Sequence, residues 1–460
     1  MTDPWVPPDL ARSPVSAAVL GQEEAHAAAL DRVLKESDYR DRLAREACEI
    51  LRLERRLRDG VEGNVSRRFC LRVAEEAERL EYGLLDVGAR GNRTYAPFAE
   101  LVTAVRWTAK ALHALLHLRG RIQRYLGERG DLLAFRTDLE GLVSTLAGRL
   151  DALLQATREE AAGPLGLPVP ADASDPAGLR GEESRWRLPQ NVLAQESEDE
   201  RERIADVATS FLALADEICR LPMPPSDDPA ALEDWVRTTF QVAAAQEARV
   251  RMHAIQSTYD VSVAGTALEA ADPDLKRFRG YVSILLHLLE AVAYLLQVHA
   301  RLSADVRSAR VRARVEALVG AGAYLGFAAR FGFVNAVACF REARTTTAAV
   351  LDRYTRVHEI TLDLPPGRKL HLRPAGLIVR VVQHHGLPVQ MRMAQESVDA
   401  HQLMDVILLA ASHASETRVS FRGDERPLAD LRLLFAHRLG EEGFDQLPSS
   451  LGYLLSFRAT

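Results

Sequence analysis

The stretch HLRPAGLIVRVVQHHG, residues 371–386, is the most informative part of the carboxy-terminal sequence. Its apolar residues recur at helical spacing, with Ala375 and Ile378 on one face, and Gly386 is suited to end a helix. His371 stands just before the first turn, where backbone N–H groups have no partner within the helix and the helix dipole favours an anion. The stretch therefore predicts a helix that begins with a histidine at an anion-binding position.

The residues that follow His371 suit the transient binding of a phosphoryl group. Pro374 falls in the first turn, where its missing N–H does no harm, and Arg373 can offer a planar charged donor to phosphate oxygens. Imidazole is a good nucleophile near neutral pH, and its phosphorylated form is a labile donor. We interpret His371 as a phosphoryl acceptor, with Leu372 and Arg373 binding the phosphate oxygens. An inert histidine that merely belongs to the fold is the alternative.

The segments around this helix alternate between strands and helices. Strand-like alternation is found in VHEITLDL at 357–364, PVQMRM at 388–393, ESVDA at 396–400 and ETRVSF at 416–421, and helical spacing at 403–411 and 427–439. The order is strand, helix, strand, strand, helix, strand, helix. This order predicts a four-stranded antiparallel sheet with helices on one face, an α+β fold.

Two of these segments carry a family resemblance. HLRPAGLIV at 371–379 and ESVDAHQLMDVILLA at 396–410, together with the element order, resemble HPr, the histidine phosphocarrier of the phosphoenolpyruvate-dependent sugar phosphotransferase system. The resemblance covers residues 356–440 and implies an open-faced β-sandwich with three helices. It implies that His371 is phosphorylated and that Arg373 assists it. It also implies Enzyme I as the phosphoryl donor, and an A domain of the system or a regulatory protein as the acceptor.

The resemblance also implies a partner-docking surface on the second helix of the domain. The family uses exposed apolar side chains there, and the matching positions are Leu403, Met404 and Ile407; ordinary core packing is the alternative for them. The sequence departs from the family at two positions. Lys369 replaces a glycine two residues before the histidine, and Gln402 replaces the regulatory serine of many members. Control by phosphorylation at residue 402 is therefore not expected.

Residues 1–355 are predicted to be almost entirely helical, because apolar residues recur there every three or four positions. A stretch dense in Pro, Gly, Asp and Ser predicts a linker. The expected organisation is a helical domain at 1–165, the linker at 166–190, a second helical domain at 191–355, the HPr-like domain at 356–440 and a tail at 441–460. The apolar residues of the tail are expected to pack on the helical region.

The two helical halves show a weak internal similarity. Residues 98–122 align without gaps on residues 278–302, and LEGLV at 139–143 resembles VEALV at 315–319. A duplication would make two similar helical bundles. Chance similarity between amphipathic helices rich in Leu and Ala is the alternative, and the sequence leaves both open.

Composition argues against several other classes of protein. The net charge of −6 gives no global basic field for nonspecific nucleic-acid binding. The four cysteines form no Cys-x-x-Cys pair, so we expect reduced thiols in a cytoplasmic protein and neither a metal site nor a cofactor.

The amino terminus lacks a signal-peptide pattern. The most apolar stretch, 317–340, contains Arg330 and Asn335, and we interpret it as a buried helix rather than a membrane-inserted one.

Three further patterns have ordinary interpretations. His113 and His117 have metal-binding spacing on a helix, but no carboxylate completes a zinc motif, so we interpret them as packing or exposed residues. GARGN at 88–92 is predicted to be a turn. The arginines of one basic stretch are expected on a solvated face or against an acidic partner: Arg307, Arg310, Arg312 and Arg314.

Three functions compete on this evidence. The leading one is a phosphocarrier, more a member of a transfer relay than an independent enzyme, with the helical portion as an input, localisation or oligomerisation module. The second is a non-carrier regulatory or scaffold protein that uses the HPr-like domain for docking. The third makes the helical region an enzyme controlled by the carrier domain, but no acid, base or nucleophile cluster in the sequence supports it.

Overall fold

The computed structural model describes residues 34–58, 65–126, 131–172, 197–225, 228–304, 309–365, 370–441, 443 and 446–459. Lys369, Arg307 and most of the predicted linker lie outside the described residues. The described part of the chain has a helical region up to Tyr354 and a smaller domain with a sheet after it.

The helical region confirms the all-α prediction for the amino-terminal part of the chain. Its helices are α1 Glu36–Glu46, α2 Cys48–Arg58, α3 Arg67–Asp86, α4 Ala96–Leu126, α5 Asp131–Ala162, α6 Ser197–Arg220, α7 Pro229–Thr238, α8 Val242–Ser262, α9 Ala267–Ala271, α10 Pro273–Ala304, α11 Ala309–Val319, α12 Ala321–Gly326 and α13 Val334–Tyr354. A π-helical segment, Phe327–Phe333, joins the last two. GARGN forms the predicted turn, with Gly88 at φ 67°.

Two groups of helices share one core. Helices α2 to α5 pack together, α6, α8, α10 and α13 pack together, and α4 lies along α10 between the groups. The central pair is antiparallel, since Glu100 near the start of α4 lies 3.6 Å from Arg301 near the end of α10. Apolar side chains from both groups are buried in one continuous cluster. The two predicted helical domains are therefore in intimate contact.

The longer pair of segments in the predicted internal similarity lies in the two central helices. The aligned segments 98–122 and 278–302 belong to α4 and α10, and the matched residues Phe98 and Phe278 are both fully buried. LEGLV lies inside α5, whereas VEALV ends α11, which stops at the left-handed Gly320 and packs against α4 and α5. The common origin of the two halves stays a prediction.

The carboxy-terminal domain has the predicted α+β fold and element order. Its elements are β1 Val357–Asp363, α14 Leu372–His385, β2 Val389–Met393, β3 Glu396–Asp399, α15 Leu403–Ser412, β4 Arg418–Asp424 and α16 Glu425–Ala436. The sheet is antiparallel in the order β1-β4-β2-β3. Phe421 pairs with Ile360 on one side and Met391 on the other, and all three are buried against the helices.

The tail belongs to this domain. Leu451 and Leu454, in the 3-10 segment Ser449–Ala459, are fully buried in its core. Tyr453 stacks on His384 with ring centroids 3.6 Å apart, and its hydroxyl donates to Asp430 at 2.7 Å. The prediction that the tail packs on the helical region is wrong. The chain leaves α16 beside α14, so the nearest uncovered apolar surface belongs to the small domain itself.

The small domain contacts the helical region through α6. Arg426, in the first turn of α16, donates to Glu202 at 2.6 Å and to Asp206 at 3.2 Å, and its Nε donates to Asp424 at 2.9 Å. Leu387, just after α14, is buried in the helical core. These contacts attach the helical region near the carboxyl end of α14.

Two helices pass a simple length and hydropathy test for membrane spans. They are Pro273–Leu302 and Gly322–Tyr354, and 83% and 56% of their most apolar windows are buried inside the protein. The predicted buried stretch 317–340 overlaps the second. The buried core helix of a globular protein passes the same test.

Candidate functional site

His371 occupies the position just before the first turn of α14. Its backbone is extended, at φ −106° and ψ −176°, and its carbonyl accepts the first helical hydrogen bond, from the N–H of Ala375 at 3.1 Å. Its imidazole is 57% exposed. Leu372, the first helical residue, also has a largely exposed side chain. The histidine is therefore open to solvent and adjacent to the N–H groups of the first turn, as the sequence predicted.

A turn after α16 completes the surroundings of His371. The Nε2 atom of His371 lies 3.3 Å from Oε1 of Glu441, a carboxylate that is largely buried. Arg373 donates from Nη2 to the carbonyl of Gly440 at 3.0 Å. The start of α14 and the turn at 440–441 thus form one site. Sequence reasoning found His371 and Arg373 but missed Glu441, which no local pattern connects with the histidine.

The turn that carries Glu441 has an unusual backbone. Arg438, Leu439 and Gly440 all have positive φ, at 50°, 56° and 67°. The left-handed conformation costs a residue with a side chain about 1–2 kcal/mol, so it persists only where the surroundings hold it. Here Leu439 is buried in the core of the small domain. The packing of Leu439 offsets the backbone strain and directs the following residues toward His371.

The predicted docking residues lie on α15 with unequal exposure. Met404 is 65% exposed, whereas Leu403 and Ile407 are half-buried against the core. Leu408, which sequence reasoning did not select, is 59% exposed one turn after Met404. Leu408 follows Met404 by four residues, a spacing that places the two side chains on the same helix face, so the sequence could have indicated the pair. Met404 and Leu408 form a small apolar surface, here called the α15 patch.

Gln402 precedes α15 and is exposed, but its side chain makes no capping hydrogen bond to the helix. The residue takes the position of a helix cap without the serine hydroxyl that the family often has there. Nothing in its described contacts gives it a chemical role.

The discounted histidines have partners inside the protein. The Nδ1 atom of His113 lies 3.0 Å from the carbonyl of Arg67, and the ring of His117 lies against that of His287 with centroids 3.9 Å apart and planes tilted by 34°. Burial lowers the pKa of both, and that of His117 falls to about 3 with help from nearby His287. Among the described residues, no group of three or more His, Cys, Asp or Glu is arranged to hold a metal ion. Both histidines act as packing residues.

The described arginines of the basic stretch at 307–314 do not all face solvent. Arg314 forms an ion pair with Glu160 of α5, while Arg310 is exposed. The stretch therefore contributes at least in part to packing between α11 and α5.

Comparison with known proteins relates the carboxy-terminal part of the chain to one family. The model described as "PTS HPr component phosphorylation site" matches residues 358–434. Residues 358–434 form an HPr domain. The phosphocarrier protein HPr of Chlamydia pneumoniae is 29% identical over 113 residues, which cover 24% of this chain and 95% of that protein. No solved structure matches the chain.

The HPr domain implies a phosphocarrier function in the phosphotransferase system and, in general, partners such as Enzyme I and an A domain. Domains of this family are typically soluble and cytoplasmic. The match ends before Glu441 and leaves the helical region outside it.

Proposed function

We propose that His371 accepts a phosphoryl group from Enzyme I and passes it to an A domain of the phosphotransferase system or to a regulatory protein. The observation that supports this most directly is the placement of His371 within the HPr domain. Its exposed imidazole stands at the amino end of α14, where N–H groups and the helix dipole favour an anion, with Arg373 two residues away. Arg373 and the N–H of Leu372 are the proposed phosphate-binding groups.

Within the described ranges, the helical region does not cover this site. Helix α14 has 14 residues and a length of about 21 Å at 1.5 Å per residue. The helical region is attached near its carboxyl end, through Leu387 and Arg426, whereas His371 lies at its amino end. A donor protein can therefore approach His371 without displacing α6.

The helical region is proposed to be an input, localisation or oligomerisation module, which would make the protein a specialised, regulatory carrier in the cytoplasm. A docking module without phosphoryl transfer is the second candidate. The exposed α15 patch favours it, because an apolar surface can bind a partner whether or not His371 reacts.

One labelling experiment separates the two candidates. The full-length protein is incubated with labelled phosphoenolpyruvate and active Enzyme I, and acid-labile protein phosphate is measured. We expect label on the wild type and none on His371→Ala. The matched control is His358→Ala, because His358 is also 57% exposed and lies near a carboxylate, at 3.8 Å from Glu425. An unlabelled wild type, or equal label on His371→Ala, would contradict the carrier function.

A further inference from the structure

Helix α8 carries a row of four side chains that the rest of the described chain leaves uncovered. Val250 and Val261 are 53% and 86% exposed, and Ala254 and Ser257, which lie between them, are exposed as well. The spacing of four, three and four residues places all four side chains on one face of the helix. These four residues, here called the α8 row, have the spacing by which one helix packs along another.

The α8 row reads the same from either end. Its spacing and its order of side-chain sizes, large, small, small and large, stay unchanged when the direction of the helix is reversed. An antiparallel copy of α8 therefore places Val250 against Val261 of the second copy, and Ala254 against Ser257. A contact between identical chains about a two-fold axis requires a surface that is complementary to itself. This property favours a second copy of the chain over an unrelated partner.

The groove between α6 and α8 leaves room beside the α8 row for a second helix. Ala254 lines an open cavity of about 470 Å³ in this groove, and α6 contributes Ser210 and Ala213 to its wall. Both side chains are short, so α6 does not project across the row. A helix that packs on the row can therefore approach α8 closely and extend over the groove.

The charged residues beside the α8 row do not oppose this pairing. Arg251 forms an ion pair with Glu217 of its own chain, and Asp260 forms one with Arg279. In an antiparallel pair centred on the middle of the row, the two copies of Arg251 are offset by roughly 13 Å along the helices, at 1.5 Å per residue, and so are the two copies of Asp260. This offset exceeds the screening length of about 10 Å at 0.1 M salt. Like charges are therefore not brought together.

We propose that the full chain forms a homodimer in which the α8 rows of two copies pack antiparallel about a two-fold axis. The small side chains of Ala254 and Ser257 let the two helices approach at the centre, and the valines close the contact at both ends. The inference rests on the oligomerisation role proposed for the helical region and does not require phosphoryl transfer at His371. Each dimer carries two HPr domains.

The mass of the full-length protein in solution tests the dimer. Sedimentation velocity over a range of concentrations is expected to give a dimer for the wild type. The double variant Val250→Asp, Val261→Asp places carboxylates opposite each other at both ends of the contact. It should raise the Kd of the dimer by about a hundredfold or more, because facing like charges across an interface are strongly unfavourable. Val357→Asp is the matched control, since Val357 is 50% exposed and lies in the HPr domain.

A charge pair tests the antiparallel register. In the double variant Val250→Asp, Val261→Lys each aspartate faces a lysine of the second copy, so the dimer should form again. Val250→Lys, Val261→Lys, which brings like charges together, should be monomeric. Phosphoramidate, a small phosphoryl donor that needs no protein partner, should label His371 equally in all variants, because the substitutions lie outside the HPr domain.

The outcomes separate this inference from the carrier function. A wild type that is monomeric throughout, or a double aspartate variant that is as dimeric as the wild type, would exclude the α8 row as a self-contact. A dimer that the two aspartates break and the charge pair does not restore would exclude the antiparallel pairing. Thermal unfolding of each variant distinguishes loss of the dimer from loss of the fold. Failure of Enzyme I to label the wild type would contradict the carrier function alone and leave the measured masses interpretable.

Discussion

His371 and His117 show how the position of a histidine in its helix decides what the side chain can do. His371 stands before the first turn of α14, where its side chain is exposed and the helix dipole favours an anion. His117 lies inside α4, where burial and the adjacent His287 lower its pKa to about 3. With so low a pKa the imidazole of His117 stays neutral near pH 7, and the side chain packs in the core as an uncharged ring.

The lowered pKa of His117 predicts a pH dependence of stability. The ordinary pKa of a histidine is 6.5, so the unfolded chain binds a proton at His117 as the pH falls below that value. In the folded protein His117 binds this proton only near pH 3. Stability is therefore lost as the pH falls through this window, and it rises with pH within it. His117→Gln, which takes the residue found at the aligned position 297, should lose less stability on acidification.

Thermal unfolding at pH 7.5 and pH 5.0 measures this effect. The Tm of the wild type should fall further between the two pH values than that of His117→Gln. His253→Gln is the control, because His253 is exposed on α8. The same acid-induced fall in Tm for all three proteins would show that His117 does not contribute.

Helix α15 illustrates how one element divides its apolar residues between core and surface. Val406, Leu409 and Ala410 are buried, while Met404 and Leu408 are exposed one turn apart. Because the core is already filled by the first group, the α15 patch is not needed for folding. Exposed apolar side chains of this kind are typical of protein-binding surfaces.

Charging the α15 patch should impair partner binding without affecting the chemistry of His371. The double variant Met404→Asp, Leu408→Asp is expected to lower the rate of Enzyme I-dependent labelling by about tenfold or more, the scale of losing one binding hot spot. Labelling by phosphoramidate should stay the same, because it needs no protein partner. Leu433→Asp, an exposed leucine on α16, is the control. Unchanged Enzyme I labelling of the double variant would exclude the patch as the docking surface.

A small group of charged side chains connects α6 with the HPr domain, beside the buried Leu387. Arg426 bridges Glu202, Asp206 and Asp424, and burial raises the pKa of Asp206 even with the arginine beside it. Three carboxylates around one guanidinium are stable together only while that cation is present. The contact thus fastens the domain while His371 remains at the other end of α14.

Removing this cation should loosen the contact between the two parts. In Arg426→Ala the three carboxylates would repel one another, so hydrogen exchange should become faster in α6 and at the end of β4. Arg392→Ala is the control, since it removes an ion pair with Glu359 that lies within the small domain. Phosphoramidate labelling of His371 should be unchanged in both variants. Unaltered exchange in α6 would show that Arg426 does not fasten the domain.

Sequence patterns alone predict the elements of the HPr domain, their order, and the place of His371 and Arg373 at the start of α14. These features follow from apolar periodicity and helix-start chemistry, which act between neighbouring residues. Three further features are visible only in the folded protein: the approach of Glu441 to His371, the burial of Leu451 in the small domain and the bridge from Arg426 to α6. Each of these contacts joins residues that are distant along the chain, and a local pattern contains no information on which distant segments packing brings together.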